Sequence, residues 1–137
     1  MLPFSGDKSR PFWISVAQSV DRGERIVLGT QNAQGVLVGT VQLIIDQPEN
    51  QPHRADVAKL LVHPSARRGG VARTLMNELE NCARQQGKTL LVLDTATGSG
   101  AELFYHNCGW QQVGVIPDYA KMPDGKLTGT TLFYKTL

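Results

Sequence analysis

The chain has 137 residues, a formal net charge of +2, 41% hydrophobic residues and 19% charged residues. This is the balance of one globular domain, residues 1–137, able to bury its own core, and it gives no reason to expect nucleic acid or an anionic membrane as main partner. Its two cysteines and three histidines show no disulfide framework or metal-ligand spacing; with no bilayer-length apolar run and no apolar signal core in Met1–Trp13, a cytoplasmic protein without a metal is expected.

Lys8–Arg22 spaces Phe12, Val16 and Val20 by four, with Gly23 as a stop, which predicts a helix. Arg25–Thr30 and Val36–Ile45 read as strands of a hairpin around the turn Asn32–Gly35. Gln47–His53 is a polar loop, and Asp56–His63 is a third strand closed by Pro64. From Val71 the period changes. Val71, Leu75, Leu79 and Cys82, with Ala72, Met76 and Ala83 beside them, form the apolar stripe of an amphipathic helix ended by Gly87.

Thr89–Leu93 is almost wholly apolar, as a strand buried on both faces would be. Ser99–Glu102 fits a capping box, Ser serving the N3 amide and Glu the cap amide, ahead of a short helix over Ala101–Asn107. Gln111–Ile116, the turn Pro123–Lys126 and Leu127–Tyr134 complete a second hairpin. A strand–helix–strand unit between two hairpins implies an α/β (α+β) fold, a mixed sheet with helices on its faces.

The stretch His63–Leu75 (HPSARRGGVARTL) sets two arginines and two glycines at the mouth of the long helix. The first amides of a helix lack intrahelical partners and its dipole is positive there. Glycine lets a ligand approach the backbone. These features suit an anion such as a pyrophosphate; they equally fit a glycine-softened turn with solvated arginines. The patterns GxxxxGK[ST] and GxGxxG are absent, so neither a P-loop nor a dinucleotide site is indicated.

Arg67-Arg68-Gly69-Gly70-Val71-Ala72 fits [Q/R]-x-x-G-x-[G/A] and resembles the coenzyme A pyrophosphate loop of the GNAT superfamily of N-acetyltransferases. The flanking run KLLVHPSARRGGVARTLM, the apolar strand ending in Asp94, and Ala101–Trp110 (AELFYHNCGW) resemble the family in order and spacing, over roughly Arg25 to Leu137. The resemblance implies a mostly antiparallel twisted sheet with a central splayed parallel strand pair and helices on both faces. It implies transfer of acetyl from acetyl-CoA to the amine of a small molecule, an amino-acid-like toxin or antibiotic being one class, by direct attack in a ternary complex.

Carried onto this chain, the main chain of Leu61 and Val62 would pair with pantetheine. The segment Arg67, Arg68, Gly69, Gly70, Val71, Ala72 and Arg73 would hold the pyrophosphate, and Asn107 could add a hydrogen bond to the cofactor. Tyr105 takes the place of a general acid for the leaving thiolate. Asp56 and Asp94 are the candidate bases, or binders of the substrate ammonium; each could equally be a structural carboxylate. Asp118–Met122 is expected as a loop bordering the acceptor.

The same resemblance implies that the family's first strand and first helix are missing, which would expose a sheet edge and favour a homodimer. An incomplete acceptor site would leave a non-catalytic acyl-CoA-binding or regulatory module. Nucleic-acid binding through Arg67, Arg68, Arg73 and Arg84 is disfavoured by the low net charge.

Overall fold

The computed structural model describes residues 2–3, 12–18, 24–67 and 70–137. Its elements are strands β1 (Leu2–Pro3), β2 (Phe12–Gln18), β3 (Arg25–Asn32), β4 (Leu37–Ile44) and β5 (Arg54–Val62), helix α1 (Val71–Gln85), strand β6 (Leu90–Ala96), helix α2 (Ala101–Asn107), and strands β7 (Gln111–Lys121) and β8 (Leu127–Thr136). They form one sheet in the order β1-β2-β3-β4-β5-β6-β8-β7. Among the described residues only β5 and β6 run parallel. Helix α1 is the crossover between them, the connection a parallel pair requires.

Alternation decides which face is covered. Ile26, Leu28 and Thr30 of β3, Val41 and Leu43 of β4, Ala55 and Val57 of β5, Leu91 and Leu93 of β6, and Thr131 and Phe133 of β8 are buried. Against them α1 lays Val71, Leu75, Met76, Leu79, Cys82 and Ala83, all buried. Each large apolar side chain removed from water in this way contributes about 1.5–3 kcal/mol. Gly39 makes the close approach possible: a Cβ there would meet Val71 Cγ1 at 2.9 Å, Leu75 Cδ1 at 3.0 Å and Thr30 Cγ2 at 3.0 Å.

Helix α1 ends as the sequence indicates. Gly87 takes φ +74°, and the amides of Gly87 and Lys88 donate to the carbonyls of Arg84 and Ala83, the Schellman arrangement. The buried Lys88 then donates from Nζ to the carbonyls of Ile45 (3.0 Å) and Pro52 (2.9 Å), which ties the 45–53 loop to the helix end.

Both described helices lie on the same face. Lys135 of β8 is the register partner of Leu91, and its Nζ donates to Glu80 of α1 at 3.0 Å and to the Cys108 carbonyl, at the end of α2, at 2.7 Å. The expected cover on both faces is therefore present on one face only among the described residues. This is why Leu90 and Val92 are half-buried rather than enclosed like Leu91 and Leu93.

Three local expectations are corrected. The segment expected as a helix over Lys8–Arg22 contains a strand instead, Phe12–Gln18, antiparallel to β3 with Phe12 opposite Asn32 and Gln18 opposite Ile26. The sheet thus continues before Arg25, and β3 is not an edge. The cap of α2 is Gly100 (φ +88°), without a side-chain cap bond; Ser99 Oγ accepts from the Ala101 amide at 3.3 Å, and Glu102 reaches back to the Gly98 amide at 2.6 Å and to Thr131 Oγ1 at 3.1 Å. Residues Asp118–Lys121 are not a free loop but the end of β7, after a register shift at Ile116–Ala120 where Asp118 takes φ +53°.

Candidate active site

The turn into α1 is built by short-range hydrogen bonds. His63 caps a 3-10 turn at Pro64–Ala66: its Nδ1 accepts from the Ser65 amide at 3.1 Å and lies 2.8 Å from Ser65 Oγ. The His63 amide donates to the Val38 carbonyl at 2.7 Å, pinning the turn to β4. Gly70 is the N-cap of α1 in the left-handed region, φ +79°, with no side-chain cap and no acid in the first turn. Thr74 closes the first turn onto the Gly70 carbonyl from both its amide (3.0 Å) and its hydroxyl (2.9 Å). The amides before Thr74 have no helical acceptor. A Cβ on Gly70 would meet nothing within 4 Å, so open space stands where a ligand would sit.

That space is a cleft of about 280 Å³ lined by Val62, Ala66, Arg67, Gly70, Val71, Ala72, Arg73 and Phe104. Six of the residues singled out from sequence, Val62, Arg67, Gly70, Val71, Ala72 and Arg73, converge there. Arg68 and Gly69 lie outside the described residues. Asn107, exposed at the end of α2, is not among the lining residues. Phe104 and Ala66 were not foreseen; Phe104 belongs to the Ala101–Trp110 run, but nothing local shows that α2 would bring it to the loop. The helix terminus, two flanking guanidinium groups and an unfilled glycine surface suit a diphosphate.

The approach to this cleft runs along β5. Parallel pairing with β6 covers Arg54–Asp56 against Leu90–Val92 and stops. Pairing with β4 continues to Val62, with Thr40 opposite Leu61 and Gln42 opposite Ala58. One extra residue on β5 is absorbed by a bulge in which Lys59 takes φ +55°. Beyond Asp56, β5 therefore keeps its β4 neighbour and loses its β6 neighbour. Peptide groups alternate along a strand: the His63 N–H goes to the Val38 carbonyl of β4, so Leu61, opposite Thr40, also points to β4, and Val62 turns its N–H and C=O to the gap, an arrangement open to an added extended partner. A second hollow of about 250 Å³, lined by Leu37, Val38, Gly39, Thr40, Leu61, Val62 and His63, lies beside it.

The three candidate catalytic side chains are divided between the faces. Tyr105 is buried on the helix side, its ring 5.3 Å from Phe104, 6.0 Å from Trp110 and 5.6 Å from Phe133. Burial, with Cys108 adding to it, pushes its phenol up to about 12. Asp56 and Asp94 lie on the opposite face: Asp56 is in register with Val92, two residues before Asp94. Asp56 is committed to Arg54, which forms an ion pair with it, and accepts from Gln47 Nε2 at 3.2 Å. Arg54 is itself held by Gln47 and Gln51, each at 2.6 Å. Asp94 is exposed, at the point where β6 has parted from β5. Thr130 Oγ1 donates to its Oδ2 at 2.6 Å, and its other oxygen has no protein partner among the described residues.

A family model described as the acetyltransferase (GNAT) family matches residues 3–110. The chain belongs to the GNAT family of acetyltransferases. Its fold is shared by a GNAT acetyltransferase from Streptococcus pneumoniae (22% identity, 83% of this chain and 68% of that one, TM-score 0.74). It is also similar to a ribosomal-protein-alanine N-acetyltransferase from Brucella melitensis (25% identity, 85% and 72%, TM-score 0.73). A third similar structure, from Salmonella typhimurium, holds acetyl-CoA as its cofactor (21% identity, 82% and 65%, TM-score 0.73). Membership of this family makes the chain an acetyltransferase.

Proposed function

We propose that this GNAT protein moves the acetyl group of acetyl-CoA to the amine of a small, amino-acid-like molecule, within a ternary complex. The observation that carries the reading is the Gly70-capped start of α1, opening on a cleft that begins where β5 has left β6. Acetyl-CoA, when bound, supplies a thioester carbon as electrophile and a thiolate as leaving group. The amides at the start of α1, with Arg67, Arg68 and Arg73, hold the diphosphate, and Gly69 and Gly70 let it approach the backbone. The main chain of Val62 aligns the extended arm.

Asp94 takes the proton from the acceptor ammonium, since Thr130 fixes one of its oxygens and leaves the other free. Asp56 is the weaker candidate because Arg54 and Gln47 already occupy it. In this reading Tyr105 serves the thiolate as a hydrogen-bond donor rather than as a full acid. A phenol near 12 does not surrender its proton to an ordinary thiolate, whose conjugate acid titrates at about 8.5.

For the acceptor, the run Leu90–Leu127 resembles the corresponding part of tabtoxin resistance protein, an enzyme that acetylates a β-lactam-containing phytotoxin. This supports an amino-acid-like toxin or antibiotic as substrate class. Calorimetric titration with acetyl-CoA, followed by thiol-release assays on a panel of amino-acid-like amines, tests the reading. Saturable binding with amine-dependent thiol release is expected; no binding overturns the cofactor assignment, and binding without release for any amine overturns the catalytic one.

A further inference from the structure

We infer that Lys135 is a positioning residue for Tyr105: its ammonium fixes where α2 stands relative to the helix that opens on the cofactor cleft. Helix α2 has seven residues and no side-chain cap, too few for a helix to hold itself together in water. Its place is set by β8. Thr131, Phe133 and Lys135 alternate onto one face of that strand, and together they meet α2 along its whole length. Thr131 Oγ1 donates to Glu102 Oε2, in the first turn, at 3.1 Å. The Phe133 ring lies 5.6 Å from that of Tyr105 and 5.3 Å from that of His106. Lys135 Nζ donates to the carbonyl of Cys108, the C-cap residue, at 2.7 Å.

The lysine bond differs from the other two in what it joins. It is charge-assisted and falls on a carbonyl at the end of the helix, where intrahelical donors run out and the dipole is negative. The same ammonium donates to Glu80 Oε2 of α1 at 3.0 Å. Glu80 is buried, and its other oxygen meets only the more distant Arg84, at 3.7 Å. A buried carboxylate is costly unless it is paired, so Glu80 holds the ammonium from the α1 side while the ammonium holds α2.

Helix α1 begins at the cleft with Val71, and α2 brings Phe104 to the same cleft, with Tyr105 next in the chain. The inference rests on the reading of Tyr105 given above. There the phenol meets a thiolate whose cofactor is anchored on α1, so the placing of one helix against the other sets the distance from donor to leaving group. Productive geometry has to hold within about 0.5 Å. Lys135 does not line the cleft; it acts through α2.

Kinetics, calorimetry and proton NMR on the full chain test this. Lys135→Met alone would strand Glu80 as a buried charge, so the test protein combines Lys135→Met with Glu80→Gln. Its kcat should fall about tenfold, the worth of one hydrogen bond, with the acetyl-CoA dissociation constant nearly unchanged. Lys135→Arg, which keeps the charge and the donors, should retain most of the wild-type kcat. Added to Tyr105→Phe, the two changes should cost no further kcat, because a group that acts through the phenol has nothing left to act on. The ring signals of Tyr105, identified by their loss in Tyr105→Phe, should move toward free-tyrosine positions in the test protein. Unmoved ring signals overturn the proposal, as does a kcat loss of equal size with and without the Tyr105 hydroxyl, or an unchanged kcat where Tyr105→Phe lowers it. Moved ring signals in an enzyme that Tyr105→Phe leaves at full rate uphold the positioning by Lys135 and overturn the donor role of Tyr105 instead.

Discussion

Thr130 Oγ1 and Asp94 Oδ2 are 2.6 Å apart, a bond that joins β8 to β6 beside the point where β6 leaves its parallel neighbour. Thr130 is buried and Asp94 is exposed, so the threonine orients a carboxylate that otherwise faces solvent. Asp94→Asn should lower kcat by about 10²-fold or more with little change in acetyl-CoA affinity, in the range typical of a lost proton acceptor. Thr130→Val should cost less, about tenfold, and Thr130→Ser should restore most of it. Steady-state kinetics with calorimetric binding separates the two effects; a large loss of cofactor affinity in Asp94→Asn would assign the residue to binding.

Gly70→Glu places a carboxylate in front of the first amides of α1. Acetyl-CoA binding should weaken by more than about 10²-fold through charge repulsion and occupation of the space a diphosphate needs. The left-handed backbone adds about 1–2 kcal/mol of strain, so Gly70→Ala is the matching control. Titration calorimetry should show the glutamate variant far weaker than the alanine variant. Equal affinities would remove the diphosphate from this cleft.

Tyr105→Phe should lower kcat about tenfold, with the acetyl-CoA dissociation constant nearly unchanged. With the phenol near 12, Tyr105 stays protonated throughout the neutral and mildly alkaline range. No alkaline limb of the rate profile below pH 10 should come from it, so wild type and variant should share that limb. Linkage gives a second readout. The folded value lies above the ordinary 10.0, so folding holds this proton more tightly. The stabilisation is fully present below pH 10 and is lost as pH rises toward 12. Thermal melts of wild type should fall more steeply over that window than those of Tyr105→Phe.

Gly39→Ala tests the contact between α1 and β4. The added methyl would sit 2.9 Å from Val71 Cγ1 and 3.0 Å from Leu75 Cδ1, and overpacking of this kind costs about 1–3 kcal/mol. Because Val71 is the first residue of α1, the displacement should also raise the KM for acetyl-CoA. Urea titration and kinetics on the same sample check both; a stability loss without a KM change would separate helix packing from the cleft.

The legible parts of the sequence are those where periodicity is forced by burial. Helix α1 was readable because its stripe, Val71, Leu75 and Leu79, is completely covered by the sheet. Strands β3 to β6 and β8 were readable from their apolar runs, within a few residues at each end. At β2 the same signal misled: Phe12, Val16 and Val20 suit a helix, but Phe12, Ile14 and Val16 equally suit a strand, and pairing with β3 decides between them. That Arg67, Gly70, Val71, Ala72 and Arg73 would stand together at one cleft was legible because they flank the start of a single helix. The bulge at Lys59 was not, since lysine has no preference for the left-handed region and the conformation is imposed by the β4 register. Nor could sequence show that Asp56 would be taken up by Arg54, or that Tyr105 and Asp94 would stand on opposite faces.

Beyond Asp56, what β5 presents to the gap in the sheet is peptide N–H and C=O groups. Those groups are the same whichever amino acid carries them. Leu61, 65% exposed, can therefore drift in evolution without changing that edge, provided the strand stays extended and keeps its β4 neighbour. Selection at this position acts on backbone conformation, and a substitution to proline, which deletes the N–H, should be felt far more than any change of side-chain chemistry.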